Sequence, residues 1–220
     1  HWLEGIPLGE YLDTPPDSSK RTTLFGRLGE LAAAMHNQVD NWQLPAGFTR
    51  PRLAVEGLLG EAPRWGRFWE HEALSTAEQK LLLRSRNVLR DVLADYGETP
   101  DRFSLIHADM NADNTIYNYG ELAIIDFDDS AFGWHLYDLA AVLVDETQAT
   151  DFEAIRSALL SGYRSNRAVA DADLEWLDRF LLIRGLVTIG WFHQRPEHSG
   201  SELFHRLKHW VLETCDAGNE

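Results

Sequence analysis

The 220 residues predict an α+β chain, predominantly helical, in which one small β-hairpin carries the functional groups. Three observations carry this expectation. Apolar residues recur at helical spacing over most of the chain, as in Leu24, Leu28, Leu31 and Met35. Three short aliphatic runs, 103–106, 115–118 and 122–125, are too brief for helices and are bounded by Asn, Asp and Gly. Between the first two lies a polar loop, His107 to Asn114. The second and third read as a hairpin turning at Asn118 to Gly120 and delivering Asp126, Asp128 and Asp129 at its exit.

In chain order, an apolar segment over residues 1–12 precedes a turn or linker with Pro15 and Pro16. The spacing of apolar residues then predicts a helix from about Ser19 to Asn37, with His36 at its end as a structural cap. Residues 41–74 carry three prolines, four glycines and the aromatics Trp42, Phe48, Trp65, Phe68 and Trp69. So many aromatics exclude disorder. They read as anchors fixing a long loop, with a substrate-side lid as the functional alternative. Ser75 to Glu78 is a capping box that opens a helix to about Tyr96, ended by Gly97 and Pro100. Further helices are expected over 134–146, 151–166, 171–192 and 201–214. Arg184 and Gly185 interrupt the most apolar of the last three, which reads as a core helix. His205 and His209 have the spacing of zinc ligands on a helix, but no acid completes H-E-x-x-H and no cysteine pair helps.

The length allows one sizeable core, or a large lobe with a small appendage. Cys215 is the only cysteine, so no internal disulfide can form and a reducing cytoplasm is expected. No apolar run reaches membrane-spanning length. A net charge of −15 argues against neutralising a nucleic-acid backbone and is compatible with a cationic small molecule. The charge is concentrated. Residues 101–150 hold ten acids against a single base, Arg102. Carboxylates that dense, if they converge, need cations, hydrogen bonds or protonation, and a divalent metal is the economical answer.

Aliphatic strands would hold Asp109, Asn114 and Asp126 at the rim of the core. His107-x-Asp109, four residues, then Asn114 is the H-x-D-x-x-x-x-N spacing of kinase catalytic loops, and Asp126-Phe127 follows where a metal-binding Asp-Phe belongs. Phosphoryl transfer to a hydroxyl needs an acceptor for the hydroxyl proton, hard oxygen ligands for metal ions and in-line positioning. Asp109 is the candidate base; Asn114 and Asp126 are the candidate Mg²⁺ ligands. Asp128 and Asp129 are further candidates for metal or substrate. With Asp145 and Glu146 they form a candidate acidic rim for a cationic acceptor. A calcium loop of the EF-hand type is discounted, because the Asp126-x-Asp128 segment follows a strand and lacks the required Gly and distal Glu.

With these motifs, His107-Ala108-Asp109, Asn114, Ile125-Asp126-Phe127 and the later Tyr137-Asp138-Leu139-Ala140, the chain resembles the aminoglycoside phosphotransferase and choline kinase-like group of small-molecule kinases. Ala108 stands where that group usually has Gly, and Asp128 stands where protein kinases place the Gly of D-F-G. The resemblance implies a protein-kinase-like fold and transfer of the ATP γ-phosphoryl group to a small-molecule hydroxyl. Residues 13–220 would be the C-terminal large lobe, with His107 and Asp138 supporting the site, Asp138 by accepting hydrogen bonds from the catalytic-loop backbone. It also implies that Trp2, Leu3 and Glu4, within residues 1–12, form the hinge that meets the nucleotide base. No G-x-G-x-x-G, Walker loop or strand lysine with a helical acid partner occurs, so the small lobe of the same polypeptide is expected to be missing and these residues alone to be inactive. A protein Ser/Thr kinase-like member and a non-catalytic module retaining only the large lobe are the alternatives.

Overall fold

A computed structural model describes residues 3–14 and 17–218. Trp2, the first of the expected hinge residues, lies outside them; Leu3 and Glu4 are exposed and outside any helix or strand. The chain then forms β1 (Ile6–Pro7), α1 (Leu8–Asp13), α2 (Ser18–Asp40), β2 (Arg52–Leu53), α3 (Val55–Leu59) and α4 (Thr76–Tyr96). The strands β3 (Phe103–Ile106), β4 (Thr115–Asn118), β5 (Glu121–Ile124) and β6 (Ala131–Trp134) follow. The helices α5 (His135–Leu143), α6 (Phe152–Asn166), α7 (Asp171–Leu174), α8 (Leu177–His193) and α9 (Glu202–Ala217) complete it.

The expected hairpin is β4–β5, with Thr115 opposite Ile124 and Asn118 opposite Glu121. Its two-residue turn places Tyr119 and Gly120 at φ +47° and +96°, the twist that closes a tight hairpin. The hairpin is not isolated. β1 adds to β4 antiparallel, and a second three-stranded sheet has the order β2-β6-β3. There β3 runs antiparallel to β6, with Ile106 opposite Ala131, while β2 runs parallel to it. The sequence reading missed β1, β2 and β6. Two of them are two residues long, and Ala-Phe-Gly-Trp has no alternation because β6 is enclosed on both faces.

Helical boundaries follow local chemistry. The Asp17 carboxylate accepts from the Lys20 N–H at 2.9 Å and opens α2 at Ser18, one residue before the expected start. α4 begins with the full capping box: Ser75 N–H donates to Glu78 and Glu78 N–H to the Ser75 hydroxyl. The helix expected over 134–146 starts at His135, because Trp134 belongs to β6, and ends in a 3-10 turn, Val144–Glu146. The one expected over 171–192 is split into α7 and α8, whereas Arg184 and Gly185 sit within an unbroken α8. His36 is not a helix cap. It lies inside α2 with its ring fully buried.

Residues 41–74 divide their roles. Phe68 and Trp69 are buried anchors in a 3-10 turn, and the Arg86 guanidinium lies 4.6 Å over the Trp69 ring. The core joins α5, buried along its whole length, to α8, α2, α4 and α9. α2 and α6 pack so closely that a Cβ on Gly162 would sit 1.9 Å from the Gly26 carbonyl oxygen. Gly162→Ala should therefore force the helices apart and cost roughly 1–3 kcal/mol. Thermal melting checks this: a midpoint several degrees lower is expected, and an unchanged one would show that the helices yield freely.

Candidate active site

β3 ends at Ile106, and the chain turns sharply into the polar loop. Two backbone N–H groups at this turn point at one buried carboxylate: His107 N–H donates to Asp138 Oδ2 at 2.9 Å and Ala108 N–H to Asp138 Oδ1 at 2.7 Å. Asp138 comes from the first turn of α5 and is fully buried. It takes a third hydrogen bond from His36 Nε2 at 3.1 Å, and His36 Nδ1 meets the Tyr163 hydroxyl at 2.9 Å. Ala108 is held at φ +70°, the left-handed region that disfavours side chains, which accounts for the usual glycine of the resemblance. The bonds from the His107 and Ala108 N–H groups to Asp138 hold the turn in this conformation.

His107 fixes the loop to the hairpin. Its ring Nε2 lies 2.9 Å from the Ile125 carbonyl oxygen, which can only accept, so Nε2 carries the proton. Nδ1 then accepts from the Asp109 N–H at 3.3 Å. The Phe127 ring lies 4.7 Å from the His107 ring. Ile125 immediately precedes Asp126, itself at φ +61°, so one imidazole sets the loop carrying Asp109 against the turn carrying Asp126.

The Asp109 carboxylate is gripped on both oxygens. Oδ2 accepts from Asn114 Nδ2 at 2.8 Å; the same nitrogen donates to the Asp109 carbonyl at 2.9 Å. Oδ1 accepts from Asn111 Nδ2 at 3.2 Å and from Arg184 Nη2. Asn114 thereby spends its amide nitrogen on Asp109 and leaves Oδ1 for a cation. Arg184 was not expected here. In the sequence it interrupts an apolar helix, and only the fold brings it 75 positions back to the loop. Burial opposes its charge, but Tyr137 and Asp109 outweigh burial and hold the guanidinium more firmly protonated than usual.

Asp126 and Asp128 are exposed; Asp126 Oδ1 accepts only a long bond, 3.4 Å, from the Asp128 N–H. Asp129 is half-buried, 3.5 Å from Arg64, and its carboxyl is raised by burial and by the charges of Asp109 and Asp126. A cavity of about 260 Å³ opens beside Asp109, walled by Asp113, Asp129, Asp145, Trp65 and Trp191. Of the expected rim, Asp129 and Asp145 face it; Asp128 does not line it, and Glu146 pairs with Arg21. A larger cavity, about 570 Å³ over Arg102, His135 and Arg167, is lined by no residue of the His107 to Asn114 loop. Among the described residues, no three His, Cys, Asp or Glu side chains converge on a metal position.

The buried network makes two predictions. Asp138→Asn presents an amide to donors that need an acceptor, and should destabilise by about 1–3 kcal/mol, the cost of leaving a buried donor unpaired; denaturant melts check it, and a loss under about 1 kcal/mol would contradict it. His135 is stacked on His36 at 4.4 Å, and burial, then the charges of His36 and Arg167, lower its pKa from 6.5 to about 2. The unfolded chain therefore binds a proton that the folded chain refuses. This contribution is intact above pH 6.5 and turns against folding as pH falls below it, by up to about 1.4 kcal/mol per unit. His135→Gln should shrink the stability loss between pH 7 and pH 5 by about 2 kcal/mol. An undiminished loss would place the acid sensitivity elsewhere.

Comparison with known proteins identifies relatives of the chain as a whole. The amicoumacin kinase of Bacillus subtilis (strain 168) is 23% identical over 189 residues, 81% of this chain and 53% of that protein. The solved structure of a microcompartment-associated aminopropanol kinase aligns with a TM-score of 0.75 at 31% identity, covering 87% of this chain and 59% of that one. An amicoumacin kinase solved with AMP-PNP, Ca²⁺ and Ami has the same fold, with a TM-score of 0.73 at 21% identity over 97% of this chain and 63% of its own. The chain thus spans somewhat over half the length of these relatives. The family model described as the phosphotransferase enzyme family matches residues 1–177. The chain belongs to that phosphotransferase family.

Proposed function

We propose that this chain carries the acceptor side and the transfer machinery of a small-molecule kinase, moving the γ-phosphoryl group of ATP to a hydroxyl of a small cationic acceptor. The observation that carries this reading is the Asp109 carboxylate, fixed at both oxygens on the wall of an acidic, tryptophan-lined cavity. Oδ1 is taken by Arg184 and Asn111. Oδ2 has a single donor, Asn114, and so keeps a lone pair for the acceptor hydroxyl. Asp109 aligns that hydroxyl and receives its proton as the new phosphorus–oxygen bond forms and the bond to the leaving diphosphate breaks.

Asn114 Oδ1 and the exposed Asp126 carboxylate are hard oxygen donors that fit a divalent cation such as Mg²⁺, and a magnesium ion commonly takes only one or two protein ligands, with the rest from phosphate and water. When bound, that cation neutralises charge on the nucleotide phosphates. The family membership supports ATP as donor, as does AMP-PNP in the related amicoumacin kinase. For the acceptor, four carboxylates and two indoles around the cavity favour an ammonium group, by charge and by cation–π attraction. The aminopropanol kinase is one relative whose named substrate has that chemistry, and a choline kinase is another. The 220 residues contain no Gly-rich loop or strand lysine to hold the phosphates from the other side, so by themselves they should fold and show no kinase activity.

In the full-length protein, Asp109→Asn should lower turnover by about 10²–10⁴-fold while ATP still binds. It should also cost some stability, because Arg184 loses its buried counter-charge. Near-normal turnover would remove Asp109 from the transfer step. Asp126→Ala should abolish, and Asn114→Ala weaken, metal-dependent ATP binding in calorimetric titrations. Unchanged affinity in both would refute the ligand assignment. Amino alcohols should react faster than neutral hydroxyl compounds, with the difference falling as salt rises; equal, salt-insensitive rates would count against a cationic acceptor.

A further inference from the structure

We infer that Arg184 is a positioning residue for phosphoryl transfer, one that sets the rotation of the Asp109 carboxylate and ties it to the acceptor wall. The inference rests on the function proposed above. One guanidinium holds the catalytic loop at two points: Nη2 donates to Asp109 Oδ1, and Nη1 donates to the Ala108 carbonyl at 3.1 Å. Nη1 also donates to the Tyr137 hydroxyl at 3.3 Å, next to Asp138 in α5. With Oδ1 occupied from α8, the oxygen left open to a hydroxyl is Oδ2, beside Asn114.

The same helix builds the cavity. Val187, Thr188 and Trp191, three, four and seven residues beyond Arg184, share its face and line the wall. α8 is in turn seated against the loop bearing the other indole, since a Cβ on Gly190 would lie 2.7 Å from the carbonyl oxygens of Trp65 and Gly66. The carboxylate and both tryptophans therefore take their positions from one rigid element. A shift of α8 would move the acceptor and its proton acceptor together.

Stability alone does not account for this residue. Arg184 lies among buried apolar residues of α8, and its Nε is buried without a hydrogen-bond partner. A buried donor left unpaired is costly, and an apolar side chain of similar volume is often the more stable choice at such a place. What an apolar side chain cannot supply is two parallel donors to two different atoms of the loop. Lysine, with one ammonium on a flexible stem, can replace the charge but not the fork.

The test is steady-state kinetics of the full-length protein with ATP and a responsive acceptor, for Arg184→Met, Arg184→Lys and Tyr137→Phe. Arg184→Met should lower kcat about 10²-fold, the scale of a misplaced catalytic group, while KM for ATP stays within about twofold. Arg184→Lys should recover part of that loss. Tyr137→Phe, which removes an Arg184 partner without touching Asp109, should leave kcat within about twofold whatever it does to the melting temperature. In an Asp109→Asn background, Arg184→Met should produce no further loss. A kcat near wild type for Arg184→Met would overturn the assignment. So would a Tyr137→Phe loss as large as that of Arg184→Met. If Arg184→Met does not fold, Arg184→Lys decides, and a wild-type kcat there overturns it. A wild type that transfers no phosphate would refute the functional reading itself, whereas an active wild type with indifferent Arg184 variants would refute only this role.

Discussion

The Asp138 carboxylate is the constraint from which the site is built. Buried completely, it accepts from two successive backbone N–H groups of the turn after β3 and from His36. A carboxylate in that position is expensive to desolvate unless all its bonds are made, and the turn is strained at Ala108 unless something holds it. Each requirement meets the other. From this turn, His107 reaches Ile125 and so fixes the approach to Asp126, and Asn114 reaches back to Asp109. The two carboxylates proposed for the transfer are thus located by backbone geometry rather than by flexible surface side chains, which would suit a reaction whose catalysis is mostly positioning.

Electrostatics sets a second requirement. Asp109, Asp113, Asp129 and Asp145 surround one small cavity; Arg184 reaches Asp109 and Arg64 reaches Asp129. Burial, and then the neighbouring charge of Asp109, raise the Asp129 carboxyl despite Arg64. A cationic acceptor on one side and a metal-bound nucleotide on the other would offset that charge, and each would favour the binding of the other through the same field.

Local chemistry made much of this legible in sequence. The capping box at Ser75, the hairpin turn at Tyr119-Gly120 and the helical spacing in α2 each leave a short-range signature, and they lie where the spacing expects them. The combination His107-x-Asp109-x-x-x-x-Asn114 with Asp126-Phe127 pointed to the right family. What escaped was set by contacts distant in the chain. His36 meets Asp138 across 102 positions and Arg184 meets Asp109 across 75, and nothing beside either residue marks it. Arg184 could have been suspected, since an arginine in the middle of the apolar run from Phe180 to Phe192 needs an explanation. Trp65 and Trp191 became a cavity wall only when α8 met the long loop, and β6 was hidden because a strand enclosed on both faces loses its alternation.

The central claim is that this chain belongs to a machine that moves a phosphoryl group onto a small hydroxylated amine. Phosphorus NMR of the full-length protein with ATP, Mg²⁺ and a primary amino alcohol tests it most directly. The account predicts that the γ-phosphate signal decays while ADP and a new phosphomonoester grow in equal amounts, and only when the acceptor is present. Release of inorganic phosphate at a rate indifferent to the acceptor, with no phosphomonoester across a panel of amino alcohols, would contradict it.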